Sequence, residues 1–275
     1  MLPLPRKRTG NAPTATLPHK EGGSAIARLS RALSPHGLIL RGGFHPEPGE
    51  PGLECAATII LVGNAGPAMW ETFAPHIDGE RNPLDRWTKR VVDPLAEEFG
   101  ARALYPFGPD APPFQRWALR AETLHASPLG ILIHPEYGLW HAWRAALLFA
   151  ERLELRPRSN APNPCESCAE KPCLSACPVG AFTAGDSPLP LRERVPLSLA
   201  KGAGEGEVEG ARPQPNYDVA ACATHIASSE ADCLAVGCHA RSACPVGEEW
   251  RYAEAQTRFH MAAFARSAGP DVGPG

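Results

Sequence analysis

Eight of the nine cysteines in this 275-residue chain fall between Cys165 and Cys244, in two blocks that each close on Cys-Pro. The first block supplies Cys165, Cys168, Cys173 and Cys177, followed by Pro178. The second supplies Cys222, Cys233, Cys238 and Cys244, followed by Pro245. A C-x₂-C…C-x₃-C-P run is the spacing that wraps one loop around an iron–sulfur cube and sends its fourth cysteine to a second cube. Three thiolates on a tight turn cover three corners, and the short loop cannot curl far enough to cap the fourth. The spacing therefore predicts two [4Fe–4S] clusters with exchanged ligands. Cys165, Cys168, Cys173 and Cys244 would hold one; Cys222, Cys233, Cys238 and Cys177 would hold the other. Val179 to Phe182 would add small and apolar groups that shield a cluster from water.

Two other uses of eight thiols compete. Disulfides need an oxidising compartment, and Met1 to Gly23 has no apolar core of the kind an export signal carries. Structural zinc also uses C-x₂-C knuckles, which leaves a zinc-stabilised binding module as the rival. Two Cys-Pro endings and a 4+4 grouping favour iron. Reduced thiols without an export signal predict a cytoplasmic protein. The net charge of −3 argues against a nucleic-acid surface, and the longest apolar run, Ala56 to Gly63, is too short to span a bilayer.

Apolar patterning divides the rest. Residues 1–23 read as a disordered tail and 24–155 as a layered α+β domain. Residues 160–262 read as the cluster domain, with a disordered insertion at 185–215, and 267–275 as a tail. Helices are expected at 24–33, from Pro67, at 84–99 and at 113–124; strands at 37–41, 56–62, 101–107 and 129–134. The turn at Pro135–Gly138 is expected to open an apolar helix over 139–152, and a last helix is expected over 247–266. Cys55 reads as a small buried hydrophobe. Asn64 and Gly66, where a buried strand turns into a helix, have a geometry that can bind an anion.

The segment Gly130-Ile-Leu-Ile-His134-Pro135-Glu-Tyr137-Gly138-Leu-Trp140-His-Ala-Trp143-Arg144, with Asp85-Arg-Trp-Thr-Lys89 and Tyr217-Asp218 ahead of Cys222, resembles epoxyqueuosine reductases and reductive dehalogenases. It is also similar to the cobalamin-processing chaperone. The resemblance implies a nitroreductase-like α+β domain followed by a ferredoxin-like domain with two [4Fe–4S] clusters. It further implies a cobalamin- or flavin-dependent reductase acting on a small-molecule substrate, with the clusters feeding electrons to a cofactor in the front domain. His134, Tyr137 and Arg144 would then contact that cofactor, and Asp110 would be the proton donor. The alternative roles are structural: Asp110 as a helix cap, His134 as a satisfied turn residue, and Trp140 and Trp143 as core. The chain departs from the family in carrying no helical-repeat domain, no Asp-x-His cobalamin motif, and four residues rather than two between Cys168 and Cys173. A simpler reading is an electron-transfer protein of ferredoxin type that serves a redox partner protein.

Overall fold

The computed structural model describes residues 24–109, 111–183 and 217–268. The fold is mixed α and β, built on a four-stranded antiparallel sheet in the order β1-β2-β6-β3. β1 (Ile39–Phe44), β2 (Thr58–Ala65), β3 (Ala101–Leu104) and β6 (His141–Phe149) form this sheet. β2 and β6 lie inside it, and all eight positions of β2 are buried. That burial explains a run without polar alternation, since a strand covered on both faces has no solvent side.

One face is covered by α1 (Ala25–Leu33), α2 (Ala68–Phe73) and α3 (Pro83–Glu98). Leu29, Leu33, Met69, Phe73, Trp87 and Val92 pack there on Ile60, Val62, Ala145, Leu147 and Phe149. Ser24 caps α1 by accepting from the Ala27 amide at 3.3 Å. The opposite face is covered by α4 (Phe114–Ala121), whose Phe114, Trp117 and Ala118 meet Ile59, Leu61, Ala146 and Leu148. A small ribbon of β4 (His125–Ala126) and β5 (Leu132–Ile133) follows.

The expected helix over 139–152 is a strand. Residues 141–149 of β6 pair with β2 on one side and β3 on the other. Its apolar run reads as a helix because both faces are buried: Ala145, Leu147 and Phe149 serve one layer, Ala146 and Leu148 the other. Periodicity cannot separate such a strand from a buried helix. A register shift between Val62 and Gly63 skips Arg144, so β6 carries a bulge there.

The cysteine-bearing part is made of short helices: α5 (Pro164–Ser167), α6 (Pro172–Ser175), α7 (Val219–Ile226), α8 (Cys233–Val236) and α9 (His239–Ser242). α10 (Glu254–Ala268) packs back on α7 and α8. The last helix thus starts later than expected. Gly247, at φ +72°, turns the chain into a single 3₁₀ turn over Glu248–Trp250 before α10 begins. Cys55, expected to be buried, is exposed. The tails at 1–23 and 269–275, the insertion at 185–215 and Asp110 lie outside the described residues. The two chain ends that flank the insertion meet. Phe182 and Tyr217 form a β-bridge with their rings stacked at 4.6 Å, and the Asp218 amide donates to the Ala181 carbonyl at 2.8 Å. Among the described residues no helix is long and apolar enough to cross a membrane.

Candidate metal centre

Cys165, Cys168, Cys173 and Cys244 line one small cleft, walled by Pro128, Lys171 and Val246 among others. Local chemistry sets the loop. Asn163 caps α5 by accepting from the Cys165 amide at 3.0 Å, and Lys171 adopts a left-handed φ of 42° that aims α6 and Cys173 inward. Burial pushes the Cys165 thiol up to about 11, and the neighbouring Cys244, Cys173 and Cys168 add to the shift while Lys171 opposes it. Cys173 and Cys244 are also raised, first by burial and then in part by thiols of the same set.

The second set gathers Cys222 from α7, Cys233 from α8, Cys238 from the cap of α9, and Cys177 from the first block. Burial raises the Cys233 thiol, and Asp232, Cys238, Cys222 and Cys177 reinforce it. Cys238 is raised by burial and senses Cys222 and Cys177. The Tyr217 hydroxyl is also raised, by burial first, then by its hydrogen bond to Cys222 and the charge of Cys222, Cys238 and Cys177. The Ala181 amide donates to the Cys177 sulfur at 3.4 Å. Each block therefore lends its last cysteine to the other block's neighbourhood.

Burial thus makes Cys165, Cys173 and Cys244 of the first set, and Cys233 and Cys238 of the second, resist ionisation. Buried thiols crowded together are stable as neutral SH groups, and a cation among them reverses the balance by neutralising the thiolates. Four soft sulfurs suit iron–sulfur chemistry or zinc. Beside the second set, one ligand atom each from Asp232, Cys233 and His239 lies within 4.8 Å of the others. His239 Nε2 and Asp232 Oδ1 are 2.6 Å apart.

In the front layer, the structure brings two of the three expected cofactor contacts together. His134 and Tyr137 stack at 4.2 Å on the turn after β5. His134 Nδ1 accepts from the Glu136 and Tyr137 amides, both at 3.1 Å, which fixes the ring proton on Nε2. Nε2 lies 3.9 Å from Glu122 Oε2. Burial, helped by Arg41 and His125, holds the His134 pKa down at about 4. Arg144 is not part of this group. Its Nε donates to Asn64 Oδ1 at 3.0 Å; burial lowers its pKa, opposed by Tyr252 ahead of α10 and by Asp85 of α3.

Sequence reading missed the residue at the centre of the His134 group. Arg41, 1% exposed, forks onto Glu122 at 2.9 and 3.0 Å, donates to the Asn64 carbonyl at 3.3 Å and sits 3.1 Å from His141 Nδ1. Its guanidinium also lies over the Tyr137 and Trp143 rings at 5.3 and 5.4 Å. Trp143 Nε1 donates to Glu122 at 2.8 Å. The available signal was an arginine closing an apolar strand, which more often marks a solvated strand end.

The front layer docks directly on the cysteine-bearing part. Leu129, Ile133 and Leu139 pack with Cys173, Cys244 and Ala240. Arg241 donates to the Leu139 carbonyl at 2.5 Å and is held between the Trp140 and Tyr252 rings at 4.4 and 4.7 Å. Trp250 meets Tyr137 edge-on at 4.8 Å.

No protein-family model and no curated protein matches this chain. Among solved structures the chain is similar to an epoxyqueuosine reductase from Streptococcus thermophilus, with 14% sequence identity and a TM-score of 0.41. The similarity covers 81% of this chain and 66% of that one, so this chain spans just under two thirds of that protein's length. Nothing about activity follows from a likeness at that level.

Proposed function

We propose that this chain is an iron–sulfur redox protein that binds two [4Fe–4S] clusters and transfers single electrons, in the manner of a ferredoxin. Cys165, Cys168, Cys173 and Cys244 would hold one cluster, and Cys177, Cys222, Cys233 and Cys238 the other. The observation that supports this reading is the exchange: each partly buried thiol set takes three cysteines from one block and its fourth from the other, as in two-cluster ferredoxins. Bound there, the clusters would accept one electron at a time from a reduced partner protein and pass it to an acceptor. The domain arrangement that goes with this reading is a nitroreductase-like layer at 24–155 followed by a ferredoxin-like unit.

The test is anaerobic isolation with metal and sulfide analysis. About eight irons and eight sulfides per chain are expected, and Cys177→Ser or Cys244→Ser should each leave about four irons, with one cluster's paramagnetic signal intact. Colourless protein with stoichiometric zinc overturns the reading. Zinc has a specific point in its favour, the Asp232–Cys233–His239 group, which mixes the ligand types zinc accepts. Under that reading His239→Ala releases the metal; under the iron–sulfur reading it does not.

A cobalamin- or flavin-dependent reductase is the alternative implied by the segment around His134. It needs His134, Tyr137 and Arg144 on one wall, but Arg144 serves the opposite face of the sheet from the other two. Trp250 also covers Tyr137 and Gly66. Those residues do not fit a shared cofactor pocket, so electron transfer is the preferred function. Stoichiometric cobalt or flavin in the anaerobic protein would reverse that preference.

A further inference from the structure

The β6 bulge turns Arg144 into the seam between the sheet and α10, beside a group of hydrogen-bond donors that have no acceptor among the described residues. Arg144 Nε donates to the Asn64 side-chain oxygen, and the Asn64 amide nitrogen, on a residue 0% exposed, has no partner among the described residues. Arg241 crosses the same seam between Trp140 and Tyr252, with its Nε unpartnered. Trp140 Nε1 and His260 Nε2 are buried and have no partner among the described residues either. Gln256, 0% exposed and one helical turn before His260, leaves both its amide nitrogen and oxygen unsatisfied.

Trp140, Arg241 and His260 all touch the Tyr252 ring. The Tyr252 ring lies 5.5 Å from Trp140 and 5.6 Å from His260. The two arginines also act on His260, whose pKa is held at about 3 by burial first, then by Arg144 and Arg241. Among the described residues neither arginine has a carboxylate within ion-pair distance; Asp85 faces Arg144 from further away.

Buried donors left unpaired are expensive, and a buried guanidinium without a counter-charge is more so. A water molecule could accept two of these bonds but would leave both guanidinium groups without an ion-pair partner. A compact oxyanion offers several acceptor lone pairs and the missing charge at once. We infer that the seam between β6 and α10 is a closed anion site, built to hold one small oxyanion of the phosphate or carboxylate class between Arg144 and Arg241. The anion would join the sheet to α10 and so help fix the front layer on the cysteine-bearing part. This inference does not depend on which metal the thiols hold.

Equilibrium dialysis of the full-length, metal-replete protein against labelled inorganic phosphate, and separately against labelled acetate, tests it at low ionic strength. One tightly held anion per chain is expected, and the arm that saturates at lower concentration identifies the class. Arg144→Gln should weaken binding roughly tenfold or more, as loss of a charged donor does. If Arg144→Gln does not fold, His260→Phe removes one donor while keeping a ring and should weaken binding in the same direction. Absence of saturable binding to the folded wild type overturns the site. So does binding unchanged in whichever variant folds, because the anion would then sit on exposed arginines such as Arg152 or Arg156.

Discussion

Gly138 and Gly247 meet backbone to backbone. A Cβ on Gly138 would lie 1.9 Å from the Val246 carbonyl oxygen, and one on Gly247 would lie 2.5 Å from the Tyr137 carbonyl carbon. Both have positive φ, +56° and +72°. The turn that carries His134 and Tyr137 is thus pressed on the residues that follow Cys244, with no room for any side chain.

Gly138→Ala should therefore destabilise the protein by about 2 kcal/mol or more, adding a left-handed strain to a clash with rigid backbone. The thermal midpoint should fall, and cleavage by trypsin in the 156–164 connection should speed up. An alanine variant with wild-type stability would show that the two layers are not in this contact.

The Arg41–Glu122 pair should behave as a buried ion pair. Arg41→Leu alone strands a carboxylate and should cost roughly 3–5 kcal/mol in urea denaturation. Arg41→Leu combined with Glu122→Leu should recover part of that loss, because no charge is then left buried. Equal losses in the single and double variants would mean the pair does not act as a unit.

Stability should fall as the pH drops from about 6.5 toward 4. The folded protein holds His134 near 4 against an ordinary 6.5, so across that interval the unfolded chain binds a proton that the folded chain refuses. The shift corresponds to roughly 1–2 kcal/mol once the ring's partial exposure is discounted. His134→Asn should flatten the acid slope of stability. Glu122 works in the opposite direction, since burial raises its pKa and the folded state keeps its proton longer. Glu122→Gln should accordingly steepen the loss on acidification.

Tyr217 should tune the second metal group. Its hydroxyl faces Cys222, and a hydroxyl that donates to a ligating thiolate draws charge from it. Tyr217→Phe should lower that cluster's midpoint potential by some tens of millivolts, read by redox titration, and leave the first cluster's unchanged. Equal shifts in both would place the effect elsewhere.

Residue order by itself determined the features that act over short distances. The cysteine spacings bring Cys165, Cys168 and Cys173 onto one loop, and the apolar face of Leu84, Trp87 and Val92 makes α3 a helix against the core. It also carried the buried run of β2. Tertiary contact decided the rest. Residues 141–149 became a strand because β2 and β3 present free backbone on both sides, and an apolar run covered on two faces carries no periodicity to announce this. Cys55 stayed exposed because it lies outside the strand it precedes. Cys177 reached the second block's thiols, Arg41 went into the core, and Arg144 was turned to the far face by one skipped residue in the register. Local spacing specifies neighbours along the chain, whereas burial, charge pairing and strand register depend on which distant segments arrive to cover them.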